Sequence, residues 1–345
     1  MRGFALLPTL TIHGAGPGLT VQDLGRPGWK AQGLSSGGAV DRLALFEAAA
    51  LLGTSPGQAV IEMMGFGGTF HANADTRIAL TGAEMQADID GTPIAPNRTH
   101  LLTAGAMLNI GSARAGLFGY LAFAGGIMTA QIMDSRATHL TAGIGKRLEA
   151  GEALPFGADP DRSRQAMRIA PEPRFTGGAI RIMRGPQADF FTTETLHSFT
   201  QTQFSRSPRG NRQGIKLDYD GNGFPADGGR NIVSDLIVPG DIQMAGDGVP
   251  YILLAECQTI GGYPRIGSVI PADLPKIAQA APGTPLQFGF LTIAEADATA
   301  LSDQVLLSQL TKMCQTIVRD PNDIADLLGY QLISGATRGD DLERS

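Results

Sequence analysis

Two stretches of the sequence concentrate side chains able to bind or process a polar substrate. The first, GAGPGLTVQDLGRPGWKAQGLSSGGAVDR from Gly14, sets Gln22, Asp23, Arg26 and Asp41 among eight glycines. Glycine at that density lets backbone approach a ligand closely, and Asp23 and Arg26 can either meet that ligand or pair with each other across a turn. Asp41 stands directly before a run of good helix formers, so its spacing reads as an N-cap; a carboxylate in the same place can serve as a general base. The second stretch is RGNRQGIKL, with Arg209, Asn211 and Arg212, followed by AECQTIGGYPRIGSVIPADLP. There Gln258, Thr259, Gly261, Gly262, Tyr263 and Arg265 follow a strongly apolar strand, which is where a β barrel presents ligand-binding groups at its rim. Uncharged amides and hydroxyls orient an amide substrate or an oxyanion, whereas an arginine fork suits a carboxylate or phosphate.

Other chemistries lack their residues. GIGKR at Gly143 has neither the upstream glycine nor the downstream hydroxyl of a phosphate loop, and the sequence holds no GxSxG elbow. The five histidines carry no metal-ligand spacing and no carboxylate at short range, so each reads as a surface or satisfied core residue, and no metal site is expected. Cys257 and Cys314 have no histidine neighbours and read as buried, unreactive thiols.

The elements that must position these groups are mainly strands. Gly and Pro are frequent (46 and 21 of 345), and Val, Ile, Leu and Thr recur between turns, a composition that favours a mainly β chain. The length suits two cores. The polar stretch from Gly157 to Gly178 marks the boundary, giving a first unit over 1–160, a second over 175–295 and a helical extension with a tail over 296–345. The halves also resemble each other. Gly105 aligns with Gly240, Tyr120 with Tyr251 and Phe156 with Phe288, which suggests two related β domains in tandem. Helices are expected from Asp41 to a stop at Gly53, from an Asp273 cap to Gly283, and from about Glu295 to Ile317.

A net charge of −6 without a basic cluster excludes nucleic acid and anionic membranes as expected partners. No apolar run is long enough to span a bilayer and no cleavable leader is legible, so the expected location is cytoplasmic.

The segments LTVQDLGRPGW, GLSSGGAVDRLAL, AVIEMMGFGGTF, IALTGA, YLAFAGGI, SRAT, VPGDIQM and QTIGGYPRIG stand in one order over about residues 10–295. In that order they resemble the carboxyltransferase subdomain A/B family, also called the allophanate hydrolase second-subunit family. The resemblance implies two tandem cyclophilin-like β barrels and a paired B-type subunit that completes the active site. It implies a subunit of a heteromeric ATP-dependent 5-oxoprolinase, working with ATP and Mg and a separate lactam hydrolase subunit. Its alternatives are a biotin-dependent carboxyltransferase acting on urea or a related amide, with carboxybiotin from a separate carrier, and a non-catalytic regulator of a kinase inhibitor. Carried over by position, it marks Asp41, Arg212 and Asp23 as catalytic. It marks Gln22, Arg26, Glu62, Gln243, Gln258, Thr259, Gly261, Gly262 and Tyr263 as substrate-binding. The chain departs from the family pattern at Asp134, where glycine is usual, and at Glu256-Cys257, where Asp-Arg is usual.

Overall fold

The computed structural model describes residues 7–227, 232–246 and 248–317. The first unit is built on nine strands: β1 (Thr9–Ala15), β2 (Thr20–Gln22), β3 (Val60–Met64), β4 (Gly68–Ala72), β5 (Thr76–Ile89), β6 (Thr92–Ile94), β7 (Thr99–Leu102), β8 (Met107–Phe123) and β9 (Ala153–Pro155). In β1 the buried Leu10 and Ile12 alternate with more exposed neighbours, the period-2 pattern of a strand with one face on a core. The sheet runs β2-β3-β8-β4-β1-β9, and the long β5 pairs with β8 and carries β6 and β7. Register shifts between β5 and β8 at Gly82, Glu84 and Met85 bend the two long strands, so the sheet curls around Phe70, Leu121, Phe123 and Phe156.

After β10 (Met167–Arg168), the second unit takes β11 (Gly178–Arg184), β12 (Phe204–Gly210) and β13 (Gly214–Asp218), then β14 (Asp235–Leu236), β15 (Asp241–Met244), β16 (Pro250–Leu253), β17 (Ile260–Gly261), β18 (Arg265–Val269) and β19 (Pro285–Phe290). Seven of these close a barrel in the order β11-β18-β15-β16-β13-β12-β19, while β14 and β17 form a separate two-stranded ribbon. Four packed phenylalanines, Phe199, Phe204, Phe224 and Phe288, belong to its core, with neighbouring ring centroids 4.9–5.7 Å apart. The expected mainly β architecture in two tandem units is present, one a curled sheet and the other a closed barrel. The internal likeness is visible locally: Gly105 and Gly240 both adopt positive φ in the turn before β8 and β15. It then diverges, because β8 runs unbroken to Phe123 whereas its counterpart is split into β15 and β16; Tyr120 is buried and Tyr251 exposed.

The helix α1 (Arg42–Leu52) starts at Asp41 and stops at Gly53, which takes the left-handed conformation at φ 72°. A second helix, α2 (Thr193–Gln201), lies ahead of β12. The later helices differ from expectation. Asp273 precedes α3 (Leu274–Gln279) but caps nothing; its carboxylate instead holds Arg181 through Nε at 2.9 Å and the second terminal nitrogen at 2.8 Å. The segment expected as one helix from Glu295 divides into α4 (Ile293–Asp297) and α5 (Asp303–Met313). Ser302 caps α5 as a new start, and β20 (Gln315–Thr316) follows, pairing with β10. The tail after Ser334 lies outside the described residues.

The boundary segment is anchored to the first unit. Asp159 accepts from Arg77 at 2.6 and 2.7 Å, and Arg164 donates to the Ala50 carbonyl of α1. One apolar cluster runs from α1 and β8 into the barrel interior, so the two units share a core.

Candidate active site at the junction of the two units

A chain of buried charges crosses the junction. Arg212, at the turn between β12 and β13, sends all three of its nitrogens inward. Nε donates to Glu256 at 2.6 Å, one terminal nitrogen donates to Glu62 on β3, and the other donates to the Gly38 carbonyl at 2.6 Å. Burial opposes the Arg212 charge, but Glu62 and Glu256 outweigh it and hold its pKa above the ordinary arginine value. The second oxygen of Glu62 accepts from Tyr120 Oη at 2.9 Å and from the Val40 amide at 3.0 Å. Tyr120 in turn accepts from the Asp41 amide at 2.8 Å; burial, with Glu62 and Asp41 close by, pushes its hydroxyl pKa well above the usual tyrosine range.

Asp41 closes the chain on the other side. Its Oδ1 accepts from the Ala44 amide, the cap that spacing predicts, at 3.3 Å. Its Oδ2 accepts from Arg174 Nε at 3.0 Å and from Gln279 Nε2 at 2.7 Å. Arg174 also forks onto Glu47 with two bonds of 2.6 Å, and Gln279 bonds both the amide and the carbonyl of Phe118. Asp41 is fully enclosed.

Next to this chain lies a pocket of about 400 Å³ walled by both units. The first unit contributes Gly33, Ser35, His139 and Thr141, and the second contributes Glu256 and the run Cys257 to Ile260. Ser35 Oγ lies 2.8 Å from His139 Nε2, and Glu256 Oε2 lies 3.8 Å from His139 Nδ1. Glu256 also accepts from the Thr141 amide and hydroxyl at 3.1 and 3.2 Å. Burial would raise the Glu256 carboxyl, but Arg212 draws it below the usual glutamate range. Burial also holds the His139 ring below its ordinary pKa, with Glu256 opposing. The Cys257 thiol is pushed up to about 12 by burial, so it stays protonated and unreactive at neutral pH. Among the described residues the wall carries neither lysine nor arginine.

A family model described as carboxyltransferase domain, subdomain A and B, matches residues 32–290. The chain belongs to this family. It is 32% identical over 305 residues to the C-type subunit of the 5-oxoprolinase of Escherichia coli, covering 87% of this chain and 97% of that one. It is 26% identical to urea amidolyase of Lachancea kluyveri, covering 78% of this chain but only 16% of that much longer protein. Among solved structures, TTHA0988 superposes with a TM-score of 0.75 at 28% identity, over 82% of this chain and 56% of the other. The urea carboxylase of Kluyveromyces lactis superposes at 0.76 and 24% identity, over 89% and 30%. The chain thus spans about half of the first solved relative and less than a third of the second.

In this carboxyltransferase-family chain the residues marked by sequence fall into three places. Gln258 and Thr259 line the pocket. Arg212, Glu62 and Asp41 lie in the charged chain, with every ionised atom already bonded by protein. Gln22, Asp23 and Arg26 hold the loop at 132–138. Asp23 accepts from the Gly25 amide, Ser135 Oγ and the Arg136 amide at 2.6–2.8 Å, Arg26 donates to the Ile132 and Ala137 carbonyls, and Gln22 donates to the Thr138 carbonyl. Of the two readings of Asp23 and Arg26, the ion pair across a turn is not formed; both groups instead bond the 132–138 loop. Gln243, Gly261, Gly262 and Tyr263 surround the β14–β17 ribbon, where a Cβ on Gly261 would lie 2.4 Å from Gln243 Nε2. The glycines of the first stretch serve turn-to-turn contact: a Cβ on Gly38 would fall 2.7 Å from the Gly25 amide nitrogen, and this approach presents the Gly38 carbonyl to Arg212.

Sequence reasoning misses Ser35, His139, Arg174, Glu47 and Gln279. His139 reads like the other histidines, as a surface or satisfied core residue, because its partners are remote; Ser35 is 104 positions away. The one local signal is the SSGG turn, which contains Ser35.

Proposed function

We propose that the chain is the C-type subunit of a heteromeric 5-oxoprolinase that converts 5-oxoproline to glutamate with ATP and water. It works with a paired B-type subunit, a separate lactam hydrolase subunit and Mg, in the cytoplasm. The observation that carries this reading is the match to 97% of the length of a C-type 5-oxoprolinase subunit. The junction pocket is the place for the small lactam, since its wall is polar, of suitable volume and supplied by both units. The same wall does not suit a nucleotide: a polyphosphate calls for Lys, Arg or a nest of amides at a glycine-rich loop, and among the described residues the wall holds no lysine or arginine. We therefore place ATP outside this pocket.

We read Asp41, Arg212 and Asp23 as groups that position the pocket, not as reacting groups. Each is buried and has every charged atom already bonded to a protein partner, which favours a positioning role over contact with substrate. The second reading, carboxyl transfer from carboxybiotin to an amide, draws on the likeness to urea amidolyase over a small part of that protein. Co-expression with the B-type subunit, followed by addition of the hydrolase subunit, separates the two. ATP-dependent glutamate release from 5-oxoproline supports the first reading, and urea-dependent loss of carboxyl from carboxybiotin without lactam turnover supports the second. Full 5-oxoproline turnover by the isolated chain would overturn the heteromeric reading.

A further inference from the structure

Ser35, His139 and Glu256 line up like a nucleophile, a base and an orienting acid, and that resemblance is misleading. The Ala142 amide is shared at 3.2 Å between His139 Nδ1 and the His139 carbonyl, so Nδ1 faces an N–H donor, which favours an unprotonated nitrogen there over a proton directed at Glu256, 3.8 Å away. A neutral imidazole has one proton, which must then sit on Nε2. Nε2–H donates to Ser35 Oγ at 2.8 Å. The ring cannot take the serine proton in this state, and the arrangement is the reverse of a catalytic triad, where the histidine accepts from the serine.

The hydroxyl proton of Ser35 is left without an acceptor among the described residues, although Ser35 is only 3% exposed. It sits in the wall of the pocket, where the described residues include no lysine or arginine and one carboxylate, Glu256, already paired with Arg212. Such a surface suits the neutral amide carbonyl of a substrate more than its charged end, because an anion would be desolvated there without a counter-charge, so the carboxylate of 5-oxoproline would point out of the pocket toward the B-type subunit.

We propose that Ser35 is the hydrogen-bond donor for the carbonyl oxygen of a small amide or lactam in this pocket, and that His139 is a positioning residue that keeps the Ser35 proton directed at it. This deepens the reading under Proposed function by naming the group that meets the lactam carbonyl. The binding test needs no ATP and no turnover, so it fails or succeeds separately from that reading.

The test uses the full chain, alone and with its co-expressed B-type subunit, and two neutral probes, 2-pyrrolidone and urea, titrated by NMR. The nitrogen shifts of His139 should report the Nε2–H tautomer, and its Nε2–H resonance should move on addition of probe. Ser35→Ala should weaken probe binding about fivefold to tenfold, the worth of one lost hydrogen bond. A fluorophosphonate should leave Ser35 unmodified. An Nδ1–H tautomer or a phosphonate adduct on Ser35 would make the serine a nucleophile and overturn the proposal. So would the absence of probe binding in both preparations, or unchanged affinity in Ser35→Ala. If that variant does not fold, the wild-type Nε2–H resonance decides: a shift with probe supports the proposal, and an unmoved resonance overturns it.

Discussion

Arg212 in the second unit and Glu62 in the first are bonded across 150 positions of sequence, and this pair holds the two units in one register beside the pocket. Removing one member of a buried pair leaves its partner charged and unmatched, which costs about 3–5 kcal/mol. Arg212→Met should therefore lower the unfolding free energy by about that amount, measured by urea denaturation with Trp29 fluorescence. The double substitution Arg212→Met with Glu62→Gln should recover part of the loss. Additive effects in this cycle would show that the pair is not coupled.

Asp41 offers a sharper comparison. As a helix cap alone, replacement by Asn would cost within about 1 kcal/mol. Because its Oδ2 also receives Arg174 and Gln279, Asp41→Asn should cost about 2–4 kcal/mol. Thermal and urea melts decide between these values, and a loss under about 1 kcal/mol would reduce Asp41 to a cap.

Acid should loosen the junction in two steps. The folded pKa of His139 lies below its ordinary value of about 6.5, so the folded state binds fewer protons there than the unfolded chain. Its contribution is complete above about pH 6.5 and declines as pH falls toward the folded value. Glu256 likewise has a depressed folded pKa, and its contribution is present above about pH 4.3 and lost as pH falls through the lower folded value. Urea midpoints should fall between about pH 7 and pH 5, and His139→Gln should flatten that segment. Some slope should remain from His100, whose pKa burial also lowers. A slope unchanged by His139→Gln would contradict this assignment.

Asp134 adopts φ 62°, in the left-handed region, which fits the glycine that the family resemblance implies for this position. Aspartate tolerates this conformation better than most residues, and glycine better still. Asp134→Gly should leave stability unchanged or raise it by up to about 1 kcal/mol, since relieved strain is partly offset by a freer unfolded chain. Asp134→Val should lower it by about 1–2 kcal/mol. Differential scanning calorimetry of both variants checks the order, and a stable Val variant would sink the argument.

What could be read from sequence depended on how local its cause was. The Asp41 start and Gly53 stop of α1 follow from chemistry within one turn of helix, and both are present. The mainly β architecture follows from turn density and strand formers. The division of α4 from α5 is hard to read because good helix formers lie on both sides of a break that the Ser302 cap reveals. The junction was hidden for a different reason. Arg174 reaches Glu47 across 127 positions and Gln279 reaches Asp41 across 238, and no spacing rule spans such distances. Arg212 drew notice for its type, yet its three acceptors could not be named until the fold brought Gly38, Glu62 and Glu256 together.

The placement of Arg174 and Gln279 bears on how the protein is born. During synthesis the N-terminal half leaves the ribosome first, and its strands can pair as they emerge. Asp41 and Glu47 then have no cation until Arg174 follows, Glu62 waits for Arg212, and the Asp41 carboxylate gains its last partner only when Gln279 is out. A nascent chain stalled before Arg174 would hold three acidic groups against an apolar surface with nothing to neutralise them. Such a fragment should be protease-sensitive on the ribosome, with protection arriving late and abruptly, as the last of the barrel emerges.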